Sequence, residues 1–454
     1  MKFIKTILSI WMLLFLFSCG TPLFTINNLP IIHPKNPIII IPGMMGSQLV
    51  DSKTGDVVWG KVIDLKSEKP HEALFRPDID GLELPTNKRP ISENKDRLIP
   101  TNILTNYEMI NRIAEVEAYQ GLIQRFSQCG LNEGNIHQCT ARDNLYLFGY
   151  DWRRDLVESA ILLGERIDEI QKVSDNPNQK VTFITHSMGG IVAIYYLMYG
   201  KKDVISGLTN SSEIPDPDYT GAKNVDKVFF LGVPFGGTPY AFKTLHEGEY
   251  LGPFVSASQW TTFTMPSIYE MLPLDTTALF ADEHSQGISI DHFNVENWIN
   301  YGMGIFSDSE WDQFEKECNL YFPESGEELS RLRWSEFKEF ARESLLRGKI
   351  FQTALTKMDW EQVKTQQIIF SGNCYETLDR VEWLNKDGGS SIIRAVKTRR
   401  FVEKYYLTAK GDNTILLESQ LGASTNADLV NIGCYKHRQM PNNLEIQKMI
   451  IEKL

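Results

Sequence analysis

The 454-residue chain lacks any basic stripe and carries a formal net charge of −12. That balance argues against nucleic acid as a partner. It also predicts repulsion from anionic membrane surfaces unless a lipid anchor or apolar insertion overcomes it. There is no internal repeat and no low-complexity block, and the 42% hydrophobic and 23% charged content argues against disorder. Cysteine is scarce, with six in all. No C-x-x-C pair and no clustered His/Cys set occurs, so no metal site is expected. A long hydrophobic run is missing too: the apolar stretch from Ile7 to Phe17 is too short to span a bilayer as a mature helix.

What that stretch does have is the size of a signal-peptide core, preceded by Lys2 and Lys5. It ends in Leu-Phe-Ser-Cys-Gly at positions 16–20, which resembles a bacterial lipoprotein cleavage box with Cys19 as the lipidated residue. The resemblance implies an exported lipoprotein anchored in a membrane, at the outer membrane or cell surface. Plain secretion with a free Cys19, or a retained signal anchor, are the alternatives. Export permits disulfides. Cys129 and Cys139 flank a Gly/Asn-rich loop and are expected to pair. Cys374 with Cys434 is a further pairing, which leaves Cys318 free.

Beyond a polar tether at residues 20–35, short apolar runs alternate with helix-period segments. The runs Pro37–Gly43, Leu145–Trp152, Val181–Thr185, Val228–Pro234 and Gln367–Gly372 read as strands buried on both faces. Helical patterns cover Ile161–Val173 and Gly189–Tyr199. The alternation predicts an α/β fold with a mostly parallel sheet. Core segments at 36–58, 143–240 and 362–454 are separated by two intervals, 59–142 and 241–361. Both are too long for bare loops and are read as insertions with their own structure. Within the second, an amphipathic helix is expected to start at a Ser335 cap and end at Gly348, burying Phe337, Phe340, Ala341, Ser344 and Leu345. Trp260, Trp298, Trp311, Trp334 and Trp360 fall in the same interval, as packing or as a cap over an apolar substrate.

The stretch VTFITHSMGG puts Ser187 between a predicted strand and a predicted helix. A serine hydroxyl attacks an ester only when a base takes its proton and donors hold the oxyanion. A nucleophile elbow needs small residues two places before and after the serine. Gly189 meets that need, and Thr185 departs from the usual G-x-S-x-G. Upstream, PGMMGSQL follows the first strand, and Gly43 and Gly46 let its backbone fold back with N–H groups presented. Such a loop donates one oxyanion hydrogen bond and Met188 the other. Downstream, Asp412 lies on a Gly-Asp-Asn turn and His437 on a later loop, in the order acid then histidine that this fold class uses.

These motifs, with IIIIPGMMGSQL, YDWRRD, THSMGG, LGVPFGGTP and GDNTI followed by a late histidine, resemble the lecithin:cholesterol acyltransferase family. Phospholipid:diacylglycerol acyltransferases and lysosomal phospholipase A2 belong to the same family. The resemblance implies an α/β-hydrolase fold and a triad of Ser187, Asp412 and His437. It further implies Met45 and Met188 at the oxyanion hole, a membrane-binding subdomain at 59–142 and a cap with its lid at 241–361. Thr185 and the GDNTI turn, where GDGTV is usual, depart from the family pattern. The activity implied is acyl transfer from a lipid ester to an alcohol or to water, with no cofactor.

Within YDWRRD, Arg153 or Arg154 is expected to satisfy Asp151 or Asp155 internally, with Trp152 filling space under the cap. Trp59, Trp152, His186 and Phe235 are the candidates for lining the pocket. Two other functions remain open at the level of sequence. One is a carboxylesterase or deacylase on a non-phospholipid ester, and the other a non-catalytic surface lipoprotein on a hydrolase scaffold.

Overall fold

Seven parallel strands form the central sheet of the computed structural model. The model describes residues 29–60, 81–110, 114–134, 136, 139–140, 142–252, 255–282, 284, 286–382, 384–386, 390–392, 406–422 and 427–454. The expected signal peptide and Cys19 lie outside the described residues. The sheet strands, in chain order, are β1 (Ile38–Ile41), β2 (Glu133–Gly134), β3 (Leu145–Leu147), β4 (Val181–His186), β5 (Val225–Leu231), β6 (Gln366–Gly372) and β7 (Asp428–Gly433). Across the sheet they run β7-β6-β5-β4-β1-β3-β2. From β1 the chain goes to the edge at β2 and returns inward to β3, then crosses to β4 on the other side of β1 and builds outward through β5, β6 and β7. The β1/β4 boundary, where the order reverses, is where open α/β sheets place their sites, at the carboxyl ends of the strands.

Both faces of this sheet are covered, which is why β1 can read Ile-Ile-Ile-Ile. Ile39 and Ile41 join one apolar core and Ile38 and Ile40 the other. Each isoleucine so buried contributes roughly 1.5–3 kcal/mol. Helix α1 (Gln120–Gln128) packs Leu122, Ile123 and Phe126 onto the second face. Helices α2 (Leu156–Val173) and α3 (Met188–Tyr199) cover the first. Asp155 caps α2 by accepting from the Val157 N–H at 2.8 Å. Apolar residues at Leu156, Ala160, Leu163, Ile167 and Ile170 form its buried stripe.

The described residues of the interval 59–142 form small sheets of their own and also reach the central sheet. Its strand Leu98–Ile103 pairs with Ser47–Asp51 just beyond β1, β2 extends the central sheet beside β3, and α1 covers one sheet face.

The interval 241–361 contains α4 (Asp308–Tyr321) and α5 (Gly326–Leu355). Helix α5 runs straight through both residues expected to bound it. Ser335 is exposed within the helix, and Gly348 is a contact point in place of a stop. A Cβ at Gly348 would lie 2.8 Å from the Tyr269 carbonyl carbon, so glycine there lets the helix approach the segment beneath it. The predicted face is buried as expected at Phe340, Ala341, Ser344 and Leu345. Trp311 stacks edge-on against Trp334 at 4.4 Å, and Trp260 lies 5.8 Å from Phe337.

Of the two expected cysteine pairs one forms and the other does not. Cys374 and Cys434 form a disulfide, whereas Cys129 and Cys139 are free thiols. Cys129 ends α1 within the core on one sheet face, and Cys139 packs against the core on the opposite face. Closeness in sequence therefore does not bring these two sulfurs together. The observed bridge ties the chain just after β6 to the chain just after β7, neighbours in the sheet.

The YDWRRD arginines are satisfied internally, as expected, though by a wider set of partners. Arg153 is fully buried and grips Asp151 (2.8 and 2.9 Å) and Asp96 (2.7 and 3.1 Å) through two forks. Arg154 pairs with Glu158. Asp155 pairs with Arg347 of α5 at 2.6 Å, binding the sheet helices to the 241–361 interval.

Candidate active site

Every residue from Val181 to Gly200 is buried except Ser187, which is partly exposed. Strand β4 ends at His186 and α3 begins at Met188, so one residue makes the whole turn. Its backbone has φ +53° and ψ −130°, a strained combination that a side-chain-bearing residue adopts only when its surroundings impose it. The clamp is visible. The Ser187 N–H donates to Leu231 O of β5 at 3.0 Å, and a Cβ at Gly189 would lie 2.6 Å from Ile41 O. The close approach thus falls on Gly189. Thr185 is tolerated because its side chain lies within the sheet and its hydroxyl donates to Phe229 O at 3.1 Å.

The loop after β1 comes up against this turn. A Cβ at Gly43 would sit 2.8 Å from Ser187 Cβ. The Gly46 N–H closes the turn on Gly43 O at 3.0 Å, and Met45 between them has φ +63°. Aromatic side chains hold the loop from beneath. Trp59 Nε1 donates to Met45 O (2.9 Å), Tyr150 Oη to Pro42 O (2.8 Å), and Trp152 Nε1 to Ser47 O (3.1 Å). Trp59 and Trp152 are both buried, edge-to-face at 5.6 Å. They act on the loop's backbone from below. Phe235, half-buried after β5, packs 5.2 Å from Phe230 and 6.1 Å from Trp360.

Asp412 and His437 meet at the same end of the sheet. The carboxylate is completely buried. Its Oδ1 accepts from the N–H groups of Thr414 (3.0 Å) and Ile415 (2.7 Å), and its Oδ2 lies 2.8 Å from His437 Nδ1. The His437 N–H also donates to Asp412 O at 2.8 Å. The turn that presents Asp412 requires a left-handed residue next, and Asn413 has φ +79°. Asparagine tolerates that region better than other side chains, which accounts for asparagine in the GDNTI turn. Gly232, one residue past the Leu231 carbonyl that holds Ser187, links the serine to the pair. A Cβ there would be 2.9 Å from His437 Nδ1 and 3.0 Å from Asp412 Oδ2, at φ +57°. The His186 and His437 rings are 4.8 Å apart.

Gly232→Ala is therefore expected to displace the Asp412–His437 pair and lower turnover by about 100-fold. Initial rates on a chromogenic short-chain ester would measure it, with a thermal melt reporting the strain. A variant with wild-type rates would mean that the pair accommodates a methyl group.

A model of the lecithin:cholesterol acyltransferase family matches residues 106–373, more than half of the chain. The chain belongs to that family. The matched stretch contains Ser187, while Met45, Asp412 and His437 lie outside it. Among curated relatives of this family member is an uncharacterised protein of Saccharomyces cerevisiae, 24% identical over 289 residues, covering 64% of this chain and 37% of the relative. Another is phospholipase A(1) LCAT3 of Arabidopsis thaliana, 24% identical over 265 residues and covering 52% of each. The chain thus spans about half or less of the length of these relatives. Among solved structures, one described as the Tle4–Tli4 complex superposes with a TM-score of 0.52 at 12% identity, covering 92% of this chain and 97% of that one. That likeness concerns the fold alone.

Sequence reasoning passed over Tyr119. Its hydroxyl accepts from the Gly43 N–H at 2.8 Å and lies 2.8 Å from His186 Nδ1. Nothing local marks it, because it is a single tyrosine before a short helix. Gln420 was also missed. It is buried and bonds both the N–H and the carbonyl of Gly372, beside Asp412. Among the described residues no group of His, Cys, Asp and Glu side chains could hold a metal ion.

Proposed function

We propose that this chain is a serine-dependent O-acyltransferase or phospholipase acting on acyl esters of lipids through an acyl-enzyme. Ser187 Oγ attacks the ester carbonyl while His437 Nε2 takes its proton, and the N–H groups of Met45 and Met188 hold the oxyanion. The C–O bond to the leaving alcohol then breaks, and the imidazolium returns its proton to that alcohol. His437 next deprotonates the acceptor, water or a lipid alcohol, which attacks the acyl-serine and frees Ser187. The observation that carries the reading is the single partly exposed serine in a buried run, on a strained turn beside the buried Asp412–His437 pair. Family membership and a relative named phospholipase A(1) support lipid esters as the substrate class.

Residues 241–361 are proposed as the cap over the acyl chain, and the loop side of 59–142 as the part that meets the membrane. Lipidation at Cys19 would hold the enzyme on its substrate surface against the repulsion of a −12 net charge. The test uses protein lacking residues 1–19 and vesicles of acyl-labelled phospholipid, with and without a long-chain alcohol. Labelled fatty acid in both conditions is expected of a phospholipase, and labelled alcohol ester at the expense of fatty acid of a transferase. Labelled phospholipid left intact, with short-chain esters cleaved, would transfer the reading to a carboxylesterase.

A further inference from the structure

We propose that Tyr119 and His186 form a neutral hydrogen-bond relay that fixes the oxyanion loop and the His437 loop relative to each other. Both are positioning residues for the reaction proposed above, on which this inference rests. The relay has three links, Gly43 N to Tyr119 Oη at 2.8 Å, Tyr119 Oη to His186 Nδ1 at 2.8 Å, and His186 Nε2 to His437 O at 3.1 Å. Its ends belong to the two loops that must approach Ser187 from opposite sides, and its middle is the residue before Ser187.

One protonation pattern gives every hydrogen of the relay an acceptor. A peptide N–H only donates, so the Tyr119 oxygen accepts from Gly43 and its own hydrogen goes to His186 Nδ1. A peptide carbonyl only accepts, so His186 Nε2 carries the hydrogen that His437 O receives. His186 is thus the Nε2–H tautomer, uncharged. A second proton on Nδ1 would take the Tyr119 lone pair and leave the buried phenol's own hydrogen without its acceptor. Burial, with His437 and Arg438 nearby, holds the His186 pKa well below its usual value, and burial pushes the Tyr119 phenol up. Both groups therefore stay neutral, and the relay adds no charge of its own beside His437.

The segment carrying Tyr119 is itself pinned to the His437 loop. Asn442 Nδ2 donates to Ala118 O at 3.0 Å, and its Oδ1 accepts from the Leu122 N–H at 3.3 Å. Tyr119 thus measures the Gly43 backbone from a platform tied to the base. Removing its hydroxyl leaves the Gly43 N–H and His186 Nδ1 buried without that partner, and the loop free to turn its N–H groups away from the oxyanion.

Tyr119→Phe keeps the ring and removes only the oxygen. The full chain is compared with this variant and with Ser187→Ala on one ester, and selectively 15N-histidine-labelled wild-type protein is examined by NMR. Turnover number is expected to fall about 100-fold with KM within about twofold, because substrate is still bound but its transition state is not. The His186 ring is expected to report the Nε2–H tautomer from pH 5 to 9 without titrating. Unchanged turnover in Tyr119→Phe, with Ser187-dependent activity intact in wild type, overturns the positioning role and leaves the esterase reading standing. An Nδ1–H tautomer, or a ring that titrates in that range, overturns the relay even if the variant does not fold. Absence of Ser187-dependent turnover in wild type overturns the esterase reading and the positioning role with it.

Discussion

Ser187→Ala is expected to lose on the order of 10⁶ in turnover number, about 8 kcal/mol of transition-state stabilisation. The magnitude follows from what the substitution leaves behind. The alanine keeps a Cβ, so the strained turn at φ +53° and its contacts with Gly43 and Leu231 persist. The proposed oxyanion donors, the proposed cap and the Asp412–His437 pair are untouched. Such a site still binds the ester and polarises its carbonyl, which elsewhere leaves about 10³–10⁴ over the uncatalysed rate. What it cannot do is form the covalent acyl-enzyme, the step that divides one difficult substitution into two easier ones. Rates on one ester, with a thermal melt to show the fold unchanged, measure the effect. Activity within tenfold of wild type would assign turnover to another group, and the buried run broken only at Ser187 would then be a structural corner.

The architecture around that serine was readable because strands buried on both faces leave an unmistakable pattern. All five apolar runs became sheet strands, and Ser187 lies where the strongest of them ends. Chain order singled out Asp412 and His437, which follow the serine on separate late loops, and their side chains meet at 2.8 Å. The signals that misled were local ones applied to tertiary questions. Ser335 and Gly348 have the right chemistry for helix ends, yet α5 runs through both, with Gly348 set against Tyr269. Cys129 and Cys139 are ten residues apart in sequence but on opposite faces of the sheet. Arg153 finds Asp96 and Tyr119 finds Gly43 and His186 only because distant segments fold over the strand ends. A single chain offers no periodicity or spacing that marks such pairs. The residues that meet at the strand ends are thus legible in the sequence, and the groups that hold them still much less so.

Asp412→Asn separates those two roles within one residue, and its expected effect is a fall in turnover of about 10⁴, roughly 5 kcal/mol. The carboxylate's Oδ1 is fixed by the N–H groups of Thr414 and Ile415. An asparagine oxygen can take that place without rearrangement, which leaves the amide nitrogen to face His437 Nδ1. That nitrogen is a donor where the carboxylate was an acceptor. His437 must then give up its Nδ1 hydrogen and carry it on Nε2, the atom that has to accept the serine proton. The ring stays in place, because the His437 N–H still donates to Asp412 O, but it is the wrong tautomer. It also loses the negative charge that stabilises its protonated form. A near-native melting temperature with a 10⁴-fold rate loss is the expected pair of results. Should the loss stay under tenfold, the backbone bond at His437 alone would be enough to position the base, and the buried carboxylate would serve the turn at 412–415 more than the chemistry.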